Sequence, residues 1–373
     1  MPVLAVAAIS ARMMAEAAAR DGFDVVALDV FGDADTRRAA AAFVAIGEPG
    51  SLHIDAARVL AALRGLAARG DVMGWVAGSG FEGRPELLAQ ASLVLPLIGT
   101  APGDVRRVRD PALFFAFLAA QGIGHPKVQS APPAKPSGWL VKDADGCGGW
   151  HIRRLTRASG SLPHRHYFPR EAAGVPMSAT FIADGSRAVL LGCNEQIVRP
   201  VAGRPFVFCG AVGPVPLAGD VAQRVGAAVR AITAEFALRG LCSLDFMLDG
   251  ARIDALEINP RPPASMALYG EQALMRMHVR ACLHAELPPV AQAAPRASGH
   301  RIVFARRTLV PDDSALRRLA EARDLHDLPG PGQRFEAGDP VCSLSASAAD
   351  AAKVKTLLEA RSEELLRALE TVG

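Results

Sequence analysis

Six cysteines are spread over 373 residues, at 147, 193, 209, 242, 282 and 342, and no two form a C-x-x-C pair or a zinc-ligand spacing. They read as reduced, mostly buried thiols of a cytoplasmic protein. A formal charge of +3 is too small for this length to imply a nucleic-acid or anionic-membrane partner. No apolar run approaches membrane-spanning length, and the first apolar run has no basic stretch ahead of it, so the N-terminus reads as strand and helix rather than signal peptide. No internal repeat is present. Lysine is scarce beside arginine, which singles out any lysine in a polar, glycine-rich context.

What is there is a globular composition, half hydrophobic and about a fifth charged, with length for two or three domains. Residues 3–9 and 25–28 read as buried strands around an alanine-rich helix at 12–20, a βαβ opening. The first strand is not followed by G-x-G-x-x-G, which excludes a dinucleotide fingerprint and leaves Asp29 an ordinary strand-end acid. Helical periodicity continues over 34–43 and 55–69, then a short strand at 74–77 runs into Gly78-Ser79-Gly80-Phe81-Glu82-Gly83. Such a loop at the carboxyl end of a parallel strand is a ligand position, and Ser79, Gly80 and Glu82 are the candidate contacts to a non-nucleotide substrate. A plain strand-to-helix turn is the competing reading.

One amphipathic helix is expected over 108–122, an extended connector over 129–137 and a strand over 138–141. Lys142 ends that strand, and the loop after it contains Gly146, Gly148 and Gly149. Backbone N–H groups of such a loop, with a lysine as point charge, suit phosphate oxygens, although the loop is not a Walker A. Further on, 188–192 reads as a strand whose exit, Cys193-Asn194-Glu195-Gln196, is polar, either toward an acceptor substrate or simply solvated. Helices are expected over 220–239 and 265–286. His278 and His284 do not share a helix face, so they make no metal pair.

The most informative stretch is 241–263. Apolar runs at 241–248 and 252–258 flank Asp249-Gly250, the strongest short signal of a two-residue hairpin turn. Asp245, Glu257 and Asn259 interrupt those runs, and strand pairing brings all three to one end. Two carboxylates and an amide oxygen are the hard donor set that Mg²⁺ prefers. Arg261 can share the face of Glu257 and Asn259, which places a cation beside the metal and any phosphoryl group it holds.

Asp245 with Glu257-Ile-Asn259-Pro-Arg261, preceded by Lys142 and its glycine loop, resembles the magnesium and catalytic segments of the ATP-grasp ligases. The resemblance implies ATP and Mg²⁺, with Mn²⁺ as a possible substitute, and roles for Arg261 and Lys142 in catalysis. It also implies an α/β and α+β architecture: a Rossmann-like domain at 1–105 before the nucleotide site, a two-lobed ATP-grasp domain at 106–290 (lobes 106–168 and 169–290), and a small C-terminal β module with a terminal helix at 291–373. A composition shift at 288–295 marks the linker to that module. Residues 167–182 resemble the hinge between lobes, where Glu171 is the candidate ribose ligand. Relatives often carry a phosphate-contacting lysine where this chain has Arg109, so Arg109 is the candidate substitute. The glycine loop at 78–85 and the compact hinge are similar to tyramine–glutamate ligase-type enzymes of one-carbon coenzyme biosynthesis (methanofuran and methanopterin). That likeness implies small carboxylate and amine substrates, glutamate among them, and a homodimer. Two alternatives stand beside it, a bicarbonate-using carboxylase of the phosphoribosylaminoimidazole type and an inactive nucleotide-binding regulator.

Overall fold

The computed structural model describes residues 1–48, 51–157, 162–270, 272–289 and 296–370. Among the described residues the strands form three sheets. The first is parallel, in the order β3-β2-β1-β4. It is built from β1 (Val3–Ala8), α1 (Arg12–Arg20), β2 (Asp24–Asp29), α2 (Ala34–Ala39), β3 (Ala42–Ala45), α3 (Ala56–Arg69) and β4 (Val72–Ala77), followed by α4 (Pro85–Val94) and α5 (Pro102–Val108). Every residue of β1 is buried, because both faces are covered. Leu4, Val6 and Ala8 face one core, and Val3, Ala5 and Ala7 the other. The helix expected over 34–43 stops at Ala39, and 42–45 pairs with β2 instead. A short helix and an edge strand share one stretch of helical periodicity.

A second interruption falls at Arg109-Asp110-Pro111. The helix expected over 108–122 begins only at Pro111, as α6 (Pro111–Ala120), with the Asp110 carboxylate capping the N–H groups of Ala112 and Leu113. The break frees Arg109 to turn inward. A small sheet follows, ordered β5-β8-β6-β7, from β5 (Val128–Gln129), β6 (Leu140–Asp143), β7 (Arg153–Arg154) and β8 (His166–Pro169).

Residues 170–174 then cross to the large sheet, of order β13-β12-β9-β10-β11-β14-β16-β15. Its elements are β9 (Val175–Asp184), β10 (Ala188–Val201), β11 (Arg204–Gly213), α7 (Gly219–Phe236), β12 (Arg239–Asp249), β13 (Arg252–Asn259), a 3₁₀ turn (Ala264–Tyr269), α8 (Leu274–His284), β14 (Ala297–Phe304), α9 (Asp313–Glu321), β15 (Leu325–His326), β16 (Pro340–Ala348) and α10 (Ala351–Glu370). The single helix expected over 265–286 is thus a 3₁₀ turn and a separate helix. Cys193 to Gln196 is no strand exit, since β10 runs on to Val201. Asn194 is buried there and satisfied, accepting from Tyr269 Oη at 2.8 Å and donating to Thr180 Oγ1 at 3.0 Å.

The C-terminal stretch is strand-rich and ends in a helix as expected, but its strands form no sheet of their own. They extend the large sheet, with β14 pairing β11 along Gly210–Gly213. Most of the expected linker at 288–295 lies outside the described residues. The parallel sheet is fastened to the large one by α8 and the 3₁₀ turn, which share its core through Met266, Leu274 and Met275. His278 is part of that joint rather than a metal ligand. Its Nδ1 accepts from Leu241 N–H at 2.8 Å and its Nε2 lies 2.9 Å from Ile98 O, while burial pulls its pKa down to about 4. Among the described residues no helix is long and apolar enough to cross a membrane.

Candidate active site

The hairpin pairs as its dipeptide demands, Asp249 with Arg252 at the turn and Asp245 directly across from Glu257. A register shift between Asp245 and Phe246 keeps both carboxylates at the same end. Asn259 Nδ2 donates to Asp245 Oδ2 at 3.1 Å and to Ser243 Oγ at 3.2 Å. Its Oδ1 accepts from Arg261 at 3.1 Å. Asp245 Oδ1 is buried and, among the described residues, has no hydrogen-bond partner. An orphaned carboxylate oxygen across from a second carboxylate fits a hard divalent cation, although Asn259 turns its amide nitrogen to Asp245 and its oxygen to Arg261. Burial and the facing Glu257 push the Asp245 carboxyl up to about 7, a penalty that a bound cation would reverse.

Across from the hairpin, Lys142 Nζ donates to Glu257 Oε2 at 2.9 Å. Arg109 reaches the same oxygen at 3.8 Å and ties the glycine loop in place, donating to Ala144 O at 2.8 Å and Gly146 O at 3.0 Å. Burial alone would raise the Glu257 carboxyl, but Lys142 and Arg109 outweigh it and hold the group far below the carboxylate range. The same pairing holds the buried Lys142 ammonium above its usual value, against the pull of burial. Two cations thus converge on one carboxylate, an arrangement suited to a ligand bearing several negative charges.

The loop itself is glycine for steric reasons. Gly149 has φ +78°, and a Cβ there would sit 1.9 Å from Phe206 O. Phe208 N–H donates to Gly148 O at 3.0 Å, which pins the loop to β11. Gly149→Ala should therefore cost about 1–3 kcal/mol for the left-handed backbone alone, with the clash added, and chemical denaturation should show it. Unchanged stability would mean that the loop tolerates another path.

Arg261 is held by Glu82, which lies 179 residues away and accepts at 2.9 and 3.1 Å. Glu82, expected as a substrate contact, is turned to the arginine. It is 3% exposed, its other oxygen accepts from Gly80 N–H at 2.7 Å, and it serves to fix the arginine. Ser79, Gly80 and Arg261 do border a cavity of about 550 Å³, shared with Gly146 and Gly148. Glu171 stands apart from this cluster, its carboxylate taking two bonds from Arg154 at 2.7 and 3.2 Å. The sequence offered no signal for Tyr167 and His151, which flank the cluster. The Lys142 ammonium lies 5.9 Å from the Tyr167 ring centre, and half-buried His151 is kept neutral by desolvation of its ring and by Lys142.

Residues 108–265 match a family model described as an ATP-grasp domain. That stretch, 158 of the 373 residues, is similar to an ATP-grasp domain. Outside it, the fold as a whole is also that of ATP-grasp proteins. The structure overlays an L-amino acid ligase from Bacillus licheniformis with a TM-score of 0.69, at 13% identity, covering 98% of this chain and 97% of that one. It overlays N5-carboxyaminoimidazole ribonucleotide synthetase from Thermotoga maritima with a TM-score of 0.67, at 13% identity and 97% and 98% coverage. For a biotin carboxylase from Campylobacter jejuni the TM-score is 0.71, at 12% identity and 99% and 95% coverage. At such identities the likeness speaks to the ATP-grasp fold. In sequence, the chain is 24% identical over 190 residues to the carbamoyl phosphate synthase large chain of Myxococcus xanthus (strain DK1622), which spans 45% of this chain and only 17% of that relative.

Proposed function

We propose that the protein is an ATP-dependent ligase that joins a carboxylate, glutamate among the candidates, to an amine and releases ADP and phosphate. One observation carries the reading: Arg261 and the loop at 146–148 border both the buried Lys142–Glu257 cluster and the 550 Å³ cavity, so a phosphoryl group and an organic substrate can meet there. A carboxylate is a poor acylating agent because oxide would have to leave. In the proposed reaction, a carboxylate oxygen attacks the γ-phosphorus of ATP and ADP departs. The amine nitrogen then attacks the acyl carbon, and phosphate leaves with that oxygen as the nitrogen loses a proton.

Asp245, Glu257 and Asn259 would hold Mg²⁺, which when bound neutralises charge on phosphoryl oxygens. Lys142, Arg109 and the loop N–H groups would grip the nucleotide phosphates. Arg261, fixed by Glu82, would meet the charge that builds on the carbonyl and phosphoryl oxygens in a site shielded from water. With ¹⁸O in the carboxylate, one label is expected in the released phosphate and ADP as the nucleotide product. Label-free phosphate with amide still forming, or AMP as the main product, would overturn the mechanism.

A bicarbonate-using carboxylase is the second reading, favoured by the overlay on the N5-carboxyaminoimidazole ribonucleotide synthetase. For the ligase, Met13, Phe31, Ile54, Phe208 and Phe304 give the cavity an apolar stretch beside polar groups that include Arg84, Asp33 and His300, which suits an organic substrate with charged ends. A degenerate regulator would have no reason to keep Lys142, Glu257 and Asn259 together. A place in one-carbon coenzyme biosynthesis is the finer proposal and rests on the loop at 78–85 and the hinge alone. Release of ADP with glutamate plus candidate amines, set against bicarbonate plus aminoimidazole ribonucleotide, separates the two enzyme readings.

A further inference from the structure

The cavity is electrically polarised along its length. Over β4 it is bordered by Arg261 and Arg84, while the acid at that end, Asp145, is already paired with Arg165 at 2.7 Å. Over β2 the balance reverses. Asp33 and Asp327 border the cavity there, with Asp29, Asp35 and Glu16 behind them, and Arg12 is the cation among these acids. Arg12 spends itself on Asp327 at 2.6 Å, Glu16 at 2.9 Å and Asp35 at 3.5 Å. Asp33 takes a long bond of 3.4 Å from Thr36, and Arg12 offsets its burial and the neighbouring acids only in part.

A second observation points to a ligand at the same end. His300 borders the cavity, is 7% exposed, and among the described residues neither ring nitrogen has a hydrogen-bond partner. Burial and Arg12 keep it neutral, so one nitrogen is an available acceptor. A bare metal ion fits the acids less well. Glu16, Asp35 and His326 come within 4.8 Å of one another, but Asp35 already accepts from the N–H groups of Asp327 and Leu328, and Glu16 from Arg12.

We infer that the cavity selects an organic substrate carrying a positive charge, such as an ammonium group, at the end remote from Arg261, with Asp33 and His300 as the groups that receive it and Asp327, already bonded by Arg12 and Ser343, adding to the negative field behind them. The separation follows from the sheet order. Asp33 follows β2 and Arg261 is tied to the loop after β4, with β1 between, so the strands that carry the two ends are about 10 Å apart and a ligand of that length would bridge them. The apolar lining between the ends calls for a hydrocarbon or ring body. The favoured class is therefore an amino acid whose amine and carboxylate are separated by an apolar chain. The inference rests on the ligase reading for which end reacts, with the carboxylate lying at Arg261.

Calorimetric titration of the nucleotide-free protein at about pH 9, above the value of about 8 at which Asp33 ionises, tests it with three probes of one length, 8-aminooctanoate, octanoate and octanedioate. The aminoacid is expected to bind at least about tenfold more tightly than either other probe, the scale of a charge-assisted hydrogen bond. Asp33→Asn should shrink that preference to about threefold or less without weakening octanoate. This variant should fold, because the neighbouring acids and burial raise the Asp33 carboxyl to about 8. Ionising it costs stability as pH rises from the ordinary carboxylate range toward 8, so the variant should gain in Tm over the wild type across that window. His300→Phe keeps a ring against Phe208 and should also lower the preference. Equal binding of the three probes, binding by none, or an Asp33→Asn effect equal on all three would overturn the inference. Charge-selective binding without ADP release would retire the ligase reading and leave this one standing. ADP release with charge-blind binding would do the reverse.

Discussion

Glu257→Gln is expected to lower ATP consumption by roughly a hundredfold or more, the scale of a lost charged contact in a phosphoryl-transfer site. It should also destabilise the fold. The glutamate is the anion on which Lys142 and Arg109 converge, and both cations are buried, with side chains 8% and 5% exposed. Removing one member of such a group leaves an uncompensated buried charge, at a cost of about 3–5 kcal/mol. The two losses can be told apart by adding Lys142→Met. The double variant should recover much of the Tm, because one stranded cation is gone, but none of the turnover. A single variant that consumed ATP normally at limiting magnesium would remove Glu257 from the site altogether.

Arg261→Ala should be nearly as severe, for a reason that lies in the loop at 78–85. Burial by itself would push the Glu82 carboxyl up, yet Arg261 and Arg109 hold it below its usual range. In the wild type this contribution is present above the ordinary carboxylate range and is lost on acidification. In the variant, Glu82 keeps its burial and loses the cation whose Nε and Nη2 both bond its Oε1, so the sign reverses and ionisation becomes a penalty of about 3–5 kcal/mol. The Tm gap between variant and wild type should therefore be wide at neutral pH and narrow toward acid. Arg261→Lys should restore only part of the stability and less of the activity, since a point charge cannot reproduce the fork that bonds Glu82 and Asn259 together. A Tm gap independent of pH would show that the pair is not what holds the arginine.

How much of this was readable in advance depended on sequence separation. The hairpin was readable because its turn dipeptide, its apolar alternation and its polar interruptions all lie within 241–263. Lys142 and its glycines were readable for the same local reason. The break at Arg109 had a local signal too, Asp-Pro as cap and first helical residue, but the flanking apolar periodicity masked it. Asn194 and its neighbours misled because a polar residue inside a strand looks like a strand end unless its partners are known, and Tyr269 is 75 residues away. Glu82 with Arg261, and Arg12 with Asp327, are pairs for which no local pattern exists. Tertiary packing alone brings them together.

The continuity of the large sheet has a consequence for anyone who would recombine this chain with its relatives. Val207 and Val212 of β11 and Ile197 of β10 are covered by α10, and the hydrogen-bonding edge of β11 from Gly210 to Gly213 is occupied by β14. A cut between residues 289 and 296 would bare an apolar face and a row of unsatisfied backbone groups at once, the surface that templates strand-to-strand aggregation. His300, Asp327 and Ser343, all at the acid end of the cavity, would leave with the severed part. The C-terminal stretch is therefore not a detachable cassette. A transplant meant to change what the cavity accepts has to carry β11 through α10 as one block.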